Sequence, residues 1–295
     1  MDQFKMQVNK FFNGTTLDAL LDYFHLGKAK KHQVLSGKII YVNGILASYK
    51  TILQENDEVI IDTSIFEKRD FPCENIPIDI LYEDDYLLVI NKEAHLIVHP
   101  DDKNKTGTLV NRISNYYAKK NLDKSVRYVH RIDRDTTGII IFAKDMFTNA
   151  YMNHFIEKHE ITRIYLALCS NKFKETKGVI NAKIGEDRHH KSRRRISKTG
   201  QEAITHYEVI KKLSRGINLV KLQLETGRTH QIRVHLSSIN HPLLGDELYF
   251  GDCKLIKRTA LHSYQVSFIH PITRKKIQIT CPLPKDMQRI VDNGK

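Results

Sequence analysis

The chain has 295 residues, 41% hydrophobic and 27% charged, and 47 Lys and Arg against 34 Asp and Glu give a net charge of +13. That length and apolar content exclude a disordered chain and fit one large domain plus a small one. The longest apolar run, Ile139 to Ala143, is far short of the roughly 20 residues of a membrane helix, and the charge favours a polyanionic partner such as nucleic acid, membrane surface or ribosome.

The opening residues Met1 to Lys5 are polar where a signal peptide needs an apolar stretch, so a soluble, cytoplasmic protein is expected. Cys73, Cys169, Cys253 and Cys281 lie far apart with no Cys-x-x-Cys spacing, which reads as reduced structural thiols.

Residues 1 to about 65 form a first unit by pattern. Thr15-Thr16 precedes the stripe Leu17, Leu20, Leu21 and Phe24, the signature of a capped helix. Gly27 restarts helix through Lys28, Lys30 and Lys31, and Gly37 ends it. A strand from Lys38 then runs into Asn43-Gly44, a strong hairpin signal, and Glu58 to Ile61 supplies a closing strand. This order resembles the small αL RNA-binding motif. The resemblance implies that Lys28, Lys30 and Lys31 face a phosphate backbone without reading sequence; a lysine-rich solvated helix face is the plainer alternative.

Residues 66–77, with Pro72 and Pro77, read as a linker, and residues 78–295 as the larger domain. Ile80 to Tyr82 and Tyr86 to Ile90 flank Glu83-Asp84-Asp85 as a hairpin. Asp145 is placed to cap a helix carrying Phe147, Ala150, Tyr151 and Phe155. Extended segments follow at Ile164 to Leu168, Ala203 to Ile210, Asn218 to Leu224, Thr259 to Ile269 and Lys276 to Thr280. Many antiparallel strands with a few helices predict an α+β fold.

Three segments hold polar residues that packing does not require: His130 to Gly138, Arg163 to Leu168, and Leu224 to His235. Each has a plain reading, with Asp133 capping a turn, Tyr165 half-buried in a core, and Arg228 on the surface. His130, His230 and His235 lack carboxylate or Cys partners at ligand spacing, so no metal is expected.

Together the segments resemble the RluA-type pseudouridine synthases. His130 to Gly138 match that family's His-Arg-Leu-Asp-x-x-Thr-Ser-Gly, with Ile132 for Leu and Thr137 for Ser. Tyr165 to Ala167 match its Tyr-Leu-Ala strand, and Thr226 to Arg233 match Thr-Gly-Arg-x-His-Gln-Ile-Arg throughout. Asn91-Lys92-Glu93-Ala94-His95-Leu96 departs from the usual Asn-Lys-Pro-x-Gly-Leu, which touches substrate fit.

The resemblance implies a cofactor-free isomerisation of uridine in structured RNA, ribosomal RNA or tRNA, by a monomer. It makes Asp133 the catalytic carboxylate, paired with Arg228. Tyr165 would stack on the uracil, and Arg131 would fill the space left by the flipped base or grip a phosphate. The basic run Arg188 to Arg195 reads either as a solvated loop or as an RNA-contacting arm. A noncatalytic RNA-binding protein and a base-excising glycosylase are the rivals; release of free uracil would mark the latter.

Overall fold

The computed structural model describes residues 2–101, 105–190 and 192–294. Its first sheet, in the order β1-β4-β2-β3, comprises β1 (Gln3–Gln7), β2 (Ile40–Val42), β3 (Ile45–Leu46) and β4 (Glu58–Asp62). Asn43 and Gly44 take φ of 50° and 78°, both left-handed, so two residues suffice to turn β2 into β3. Thr16 caps α1 (Leu17–Tyr23) by accepting the Ala19 N–H at 3.2 Å. α2 (Lys28–Ser36) follows Gly27 and buries only Val34. Strand β1 is barely legible in sequence, because Gln3, Lys5 and Gln7 dilute its two buried positions, Phe4 and Met6.

This first unit shares its core with the rest of the chain. Phe4 and Phe24 lie 4.6 and 5.6 Å from the Phe147 ring, and Tyr23 lies 5.2 Å from Tyr151. Polar contacts fasten the same seam. Tyr23 donates to the Pro271 carbonyl at 2.7 Å, Asn9 to that of Ile272 at 2.8 Å, and Tyr86 to that of Lys5 at 2.8 Å. Residues 66–77 form no helix or strand but are pinned: Asn111 donates to the Pro72 carbonyl and Ser114 to that of Phe71.

The remaining elements in chain order are β5 (Asp79–Glu83), β6 (Leu87–Lys92), α3 (Leu109–Lys119), β7 (Arg127–Tyr128), β8 (Thr137–Ala143), α4 (Met146–Glu157) and β9 (Thr162–Cys169). Then come β10 (Lys177–Asn181), β11 (Ile184–Glu186), β12 (Arg194–Ile196), β13 (Ile204–Lys212), β14 (Asn218–Leu224) and α5 (Gln231–Ser238). The last are β15 (Leu261–Ile269), β16 (Lys276–Thr280) and α6 (Lys285–Asn293). The large sheet runs β10-β13-β14-β9-β15-β8-β6-β5, with β16 beside β15 and β7 beside β8. Only β15 and β8 pair in parallel among its described strands, so the sheet is mixed and mostly antiparallel, as an α+β reading expects.

β8 is buried at every position because it lies between two cores. Ile139, Ile141 and Ala143 face the core holding Phe147, while Ile140 and Phe142 face the one under α3. This accounts for the unbroken apolar run. Asp145 caps α4 as expected, accepting the Phe147 and Thr148 N–H groups at 2.8 Å each. Among the described residues no helix is long and apolar enough to cross a membrane.

Candidate active site

Asp133 stands on the loop between β7 and β8, and that loop is held from behind. The Lys92 ammonium donates to the carbonyls of Glu93, Leu96 and Arg134 at 2.7, 2.8 and 2.8 Å. Burial lowers the Lys92 pKa to about 7, yet three carbonyl acceptors use all three protons of the charged form, and we take that form as the one held. Gly138 enters β8 at φ 103°, where a Cβ would sit 2.3 Å from the Ser263 carbonyl; the close β8–β15 crossing needs glycine there. His262, opposite Thr137 on β15, hydrogen-bonds its Oγ1 at 2.9 Å.

The partner of Asp133 is Arg233, in the first turn of α5. Arg233 Nη1 donates to Asp133 Oδ2 at 3.0 Å, while its Nε and Nη2 grip Asp246 at 2.7 and 2.8 Å. The fork geometry of guanidinium allows both acids to be served at once. Asp246 follows Gly245, whose φ of 72° and close approach to the Arg258 carbonyl admit no side chain. The Tyr249 ring lies under the Arg233 guanidinium, 4.9 Å away. His230, left-handed at φ 59°, brings Nε2 within 3.9 Å of the same Asp133 oxygen and joins Nδ1 to the Tyr249 hydroxyl at 2.9 Å.

The pairing expected between Asp133 and Arg228 is therefore corrected. Arg228 belongs to the turn ahead of α5, is exposed, and directs Nε to the Glu202 carbonyl at 2.9 Å. Both arginines sit in one motif, but only Arg233 lies on the helix face turned toward Asp133. Arg228 still lines the cavity of about 600 Å³ that Asp133, Tyr165, Arg131 and Arg233 border. Tyr165 projects from β9, opposite Leu222 of β14 and Ser263 of β15, and is 5% exposed. Burial raises its phenol above the ordinary value. Arg131 is exposed at the rim.

Two further residues line this cavity without having stood out as site candidates. His130 is buried with neither ring nitrogen hydrogen-bonded, and burial beside Arg163 depresses its pKa to about 3. Arg163 likewise leaves Nε without a partner. The signal was in the sequence, since an Arg opening a buried apolar strand needs a reason.

The three lysines of α2 differ. Lys31 is locked between Asp18 and Asp22 at 2.8 and 2.6 Å, and Lys30 lies 4.9 Å over the Phe66 ring. Lys28 is exposed. Lys31 thus ties α2 to α1. The basic run Arg188 to Arg195 is no simple loop: its last two residues open β12, which pairs with β11; Lys191 lies outside the described residues.

A family profile described as RNA pseudouridylate synthase matches residues 86–238, just over half of the chain. A Bacillus subtilis protein named uncharacterized RNA pseudouridine synthase YhcT is 43% identical over 257 residues, covering 87% of this chain and 85% of the relative. Ribosomal large subunit pseudouridine synthase D of Vibrio parahaemolyticus is 33% identical over 87% of this chain and 83% of its own. The solved human RNA pseudouridylate synthase domain containing 4 aligns at a TM-score of 0.60 and 23% identity, over 72% of this chain and 92% of that one, a likeness of fold.

Proposed function

The chain belongs to the RNA pseudouridylate synthase family, and we propose that Asp133 is the carboxylate with which it isomerises uridine in ribosomal RNA. The enzyme is an RNA pseudouridine synthase, an isomerase that turns uridine into pseudouridine. The reaction breaks the N1–C1′ bond, turns the uracil and joins C5 to C1′, while C5 gives up a proton and N1 takes one. Atoms and electrons balance within the substrate, so the chemistry asks for a carboxylate and a cage.

Arg233 takes Asp133 Oδ2 and leaves Oδ1 without a hydrogen bond among the described residues. A guanidinium at 3.0 Å fixes the orientation of the carboxylate. Asp133 then attacks the sugar or base, or removes a sugar proton. Tyr165 lies against the uracil and keeps it in the cavity while it turns. Arg131 and Arg228 at the rim take the phosphates of the flipped nucleotide, and unstacking that nucleotide costs a few kcal/mol.

Residues 1–65, an αL-type RNA-binding unit joined through 66–77 to a catalytic unit of 78–295, add salt-sensitive phosphate contacts through Lys28 and Lys30. The protein acts as a cytoplasmic monomer. Ribosomal RNA is favoured as substrate because the Vibrio relative carries the ribosomal large subunit in its name.

The observation that carries this reading is the Asp133–Arg233 pair at the cavity wall, with buried Asp246 holding Arg233. RNA tritiated at uracil C5 releases tritium to water on isomerisation, and Asp133→Asn should abolish that release while RNA binding persists. Mapping pseudouridine in ribosomal RNA and tRNA from cells with and without the gene tests the substrate. A position lost only from tRNA would overturn the ribosomal assignment.

A further inference from the structure

We infer that Phe250 and the β11–β12 hairpin form a platform that stacks an unpaired base of the RNA strand beside the target uridine. The inference rests on the RNA reading above and adds a binding surface to it.

After Asp246 the chain makes a short 3₁₀ turn, Glu247–Tyr249, and Phe250 closes it at φ 66° and ψ 27°. A bulky side chain in the left-handed region is a backbone outlier, and such strain gathers at functional sites. Packing does not ask for an aromatic here, because Phe250 is 71% exposed. The Arg193 guanidinium lies over its ring, 4.6 Å from the centroid. An aromatic face flanked by a guanidinium is the arrangement on which nucleobases stack, largely irrespective of sequence.

The platform is wired to the site. Tyr249, the residue before Phe250, is buried, and its hydroxyl accepts the Arg194 N–H from the hairpin at 2.8 Å. The same hydroxyl meets His230 Nδ1 at 2.9 Å, and His230 Nε2 lies 3.9 Å from Asp133. A base on Phe250 is therefore held one residue from the group that touches both the hairpin and the candidate catalytic wall.

Charge completes the match. Arg195 is exposed and pairs with no carboxylate among the described residues, and Arg188 is exposed at the hairpin tip. Arg193 reaches Asp187 only at 4.0 Å, and Arg194 pairs with the exposed Glu186. Arg193 at the exposed ring and three further arginines on the same hairpin fit a single-stranded polyanion that carries aromatic bases better than an apolar protein surface.

The chain contains no tryptophan, so Phe250→Trp provides a single fluorescent reporter on the platform. A short single-stranded RNA oligonucleotide should quench that fluorescence as it binds. Heparin, a polyanion without bases, should bind the arginines and leave the emission unchanged. Phe250→Gly should weaken RNA binding about tenfold and keep or raise Tm, since glycine suits the left-handed backbone. Binding without quenching, quenching by heparin, or wild-type affinity in Phe250→Gly would overturn the platform alone. Failure of the wild-type protein to bind RNA would overturn the RNA reading and the platform together.

Discussion

Arg233 holds Asp133 with one nitrogen and Asp246 with the other two, so the carboxylate proposed for catalysis is aimed by an arginine that is itself clamped. A clamped guanidinium loses little freedom when substrate arrives, and a single Nη1–Oδ2 bond leaves Asp133 Oδ1 without a hydrogen bond among the described residues.

Arg233→Lys keeps the charge but cannot serve both acids. Misplacing a reacting group by about 1 Å costs on the order of 100-fold in rate, so a turnover loss of about that size is expected. RNA affinity should stay within about threefold, because most contacts lie on the phosphate backbone. Arg228→Lys, at the exposed rim, should lose affinity and rate together and only modestly. Single-turnover tritium release and filter binding on one RNA separate the two. Equal damage from both substitutions would remove Arg233 from its orienting role.

Local signals carried the sequence reading a long way. The Asn43-Gly44 turn and the Thr16 and Asp145 caps each depend on residues within a few positions of one another, and β8 and the Asp133 loop announce themselves as continuous runs. The choice between Arg228 and Arg233 did not, because it depends on Asp246, a loop residue 13 positions on whose place is set by the Gly245 turn. The ion pairs of Lys31 are hidden for the same reason, their carboxylates sitting on the preceding helix. Helix α3 was missed, and the seam joining the first unit to α4 was invisible, since Phe4 and Phe147 are 143 positions apart.

That seam sets the outcome of truncation. Deleting residues 1–65 would uncover Phe147 and Tyr151, both buried against the first unit. Phe4→Ala should by itself cost about 3–5 kcal/mol, read by urea unfolding as a lower midpoint at unchanged slope. A loss under about 1 kcal/mol would show that the first unit is only loosely attached.

The lysines of α2 can be told apart in place. Lys28→Ala should reduce the slope of log affinity against log salt by about 0.7–0.9, one phosphate contact, with Tm unchanged. Lys31→Ala should leave that slope alone and lower Tm, because it releases Asp18 and Asp22. The reverse pattern would place Lys31 on RNA and Lys28 in solvent.

Acid should loosen the seat of the Asp133 loop through His262. Its Nε2 lies 3.1 Å from the Cys281 carbonyl and its Nδ1 2.9 Å from Thr137 Oγ1, so the neutral ring donates once and accepts once. Burial lowers its pKa to about 4, and that of His130 to about 3. The unfolded histidine titrates near 6.5, so between that pH and the folded values the unfolded chain binds more protons. Stability is then complete above about pH 6.5 and falls as pH drops, by about 1.4 kcal/mol per pH unit for each such histidine. The paired carboxylates Glu83 and Asp84, both lowered to about 2, add their own loss only in the more acidic range below their unfolded values. His262→Gln keeps a donor for Cys281 but cannot be protonated. Urea unfolding at about pH 7.5, 6 and 5 should show wild-type stability declining below pH 6.5 and the variant declining less steeply. An unchanged slope in His262→Gln would mean that another group governs the acid response of the loop.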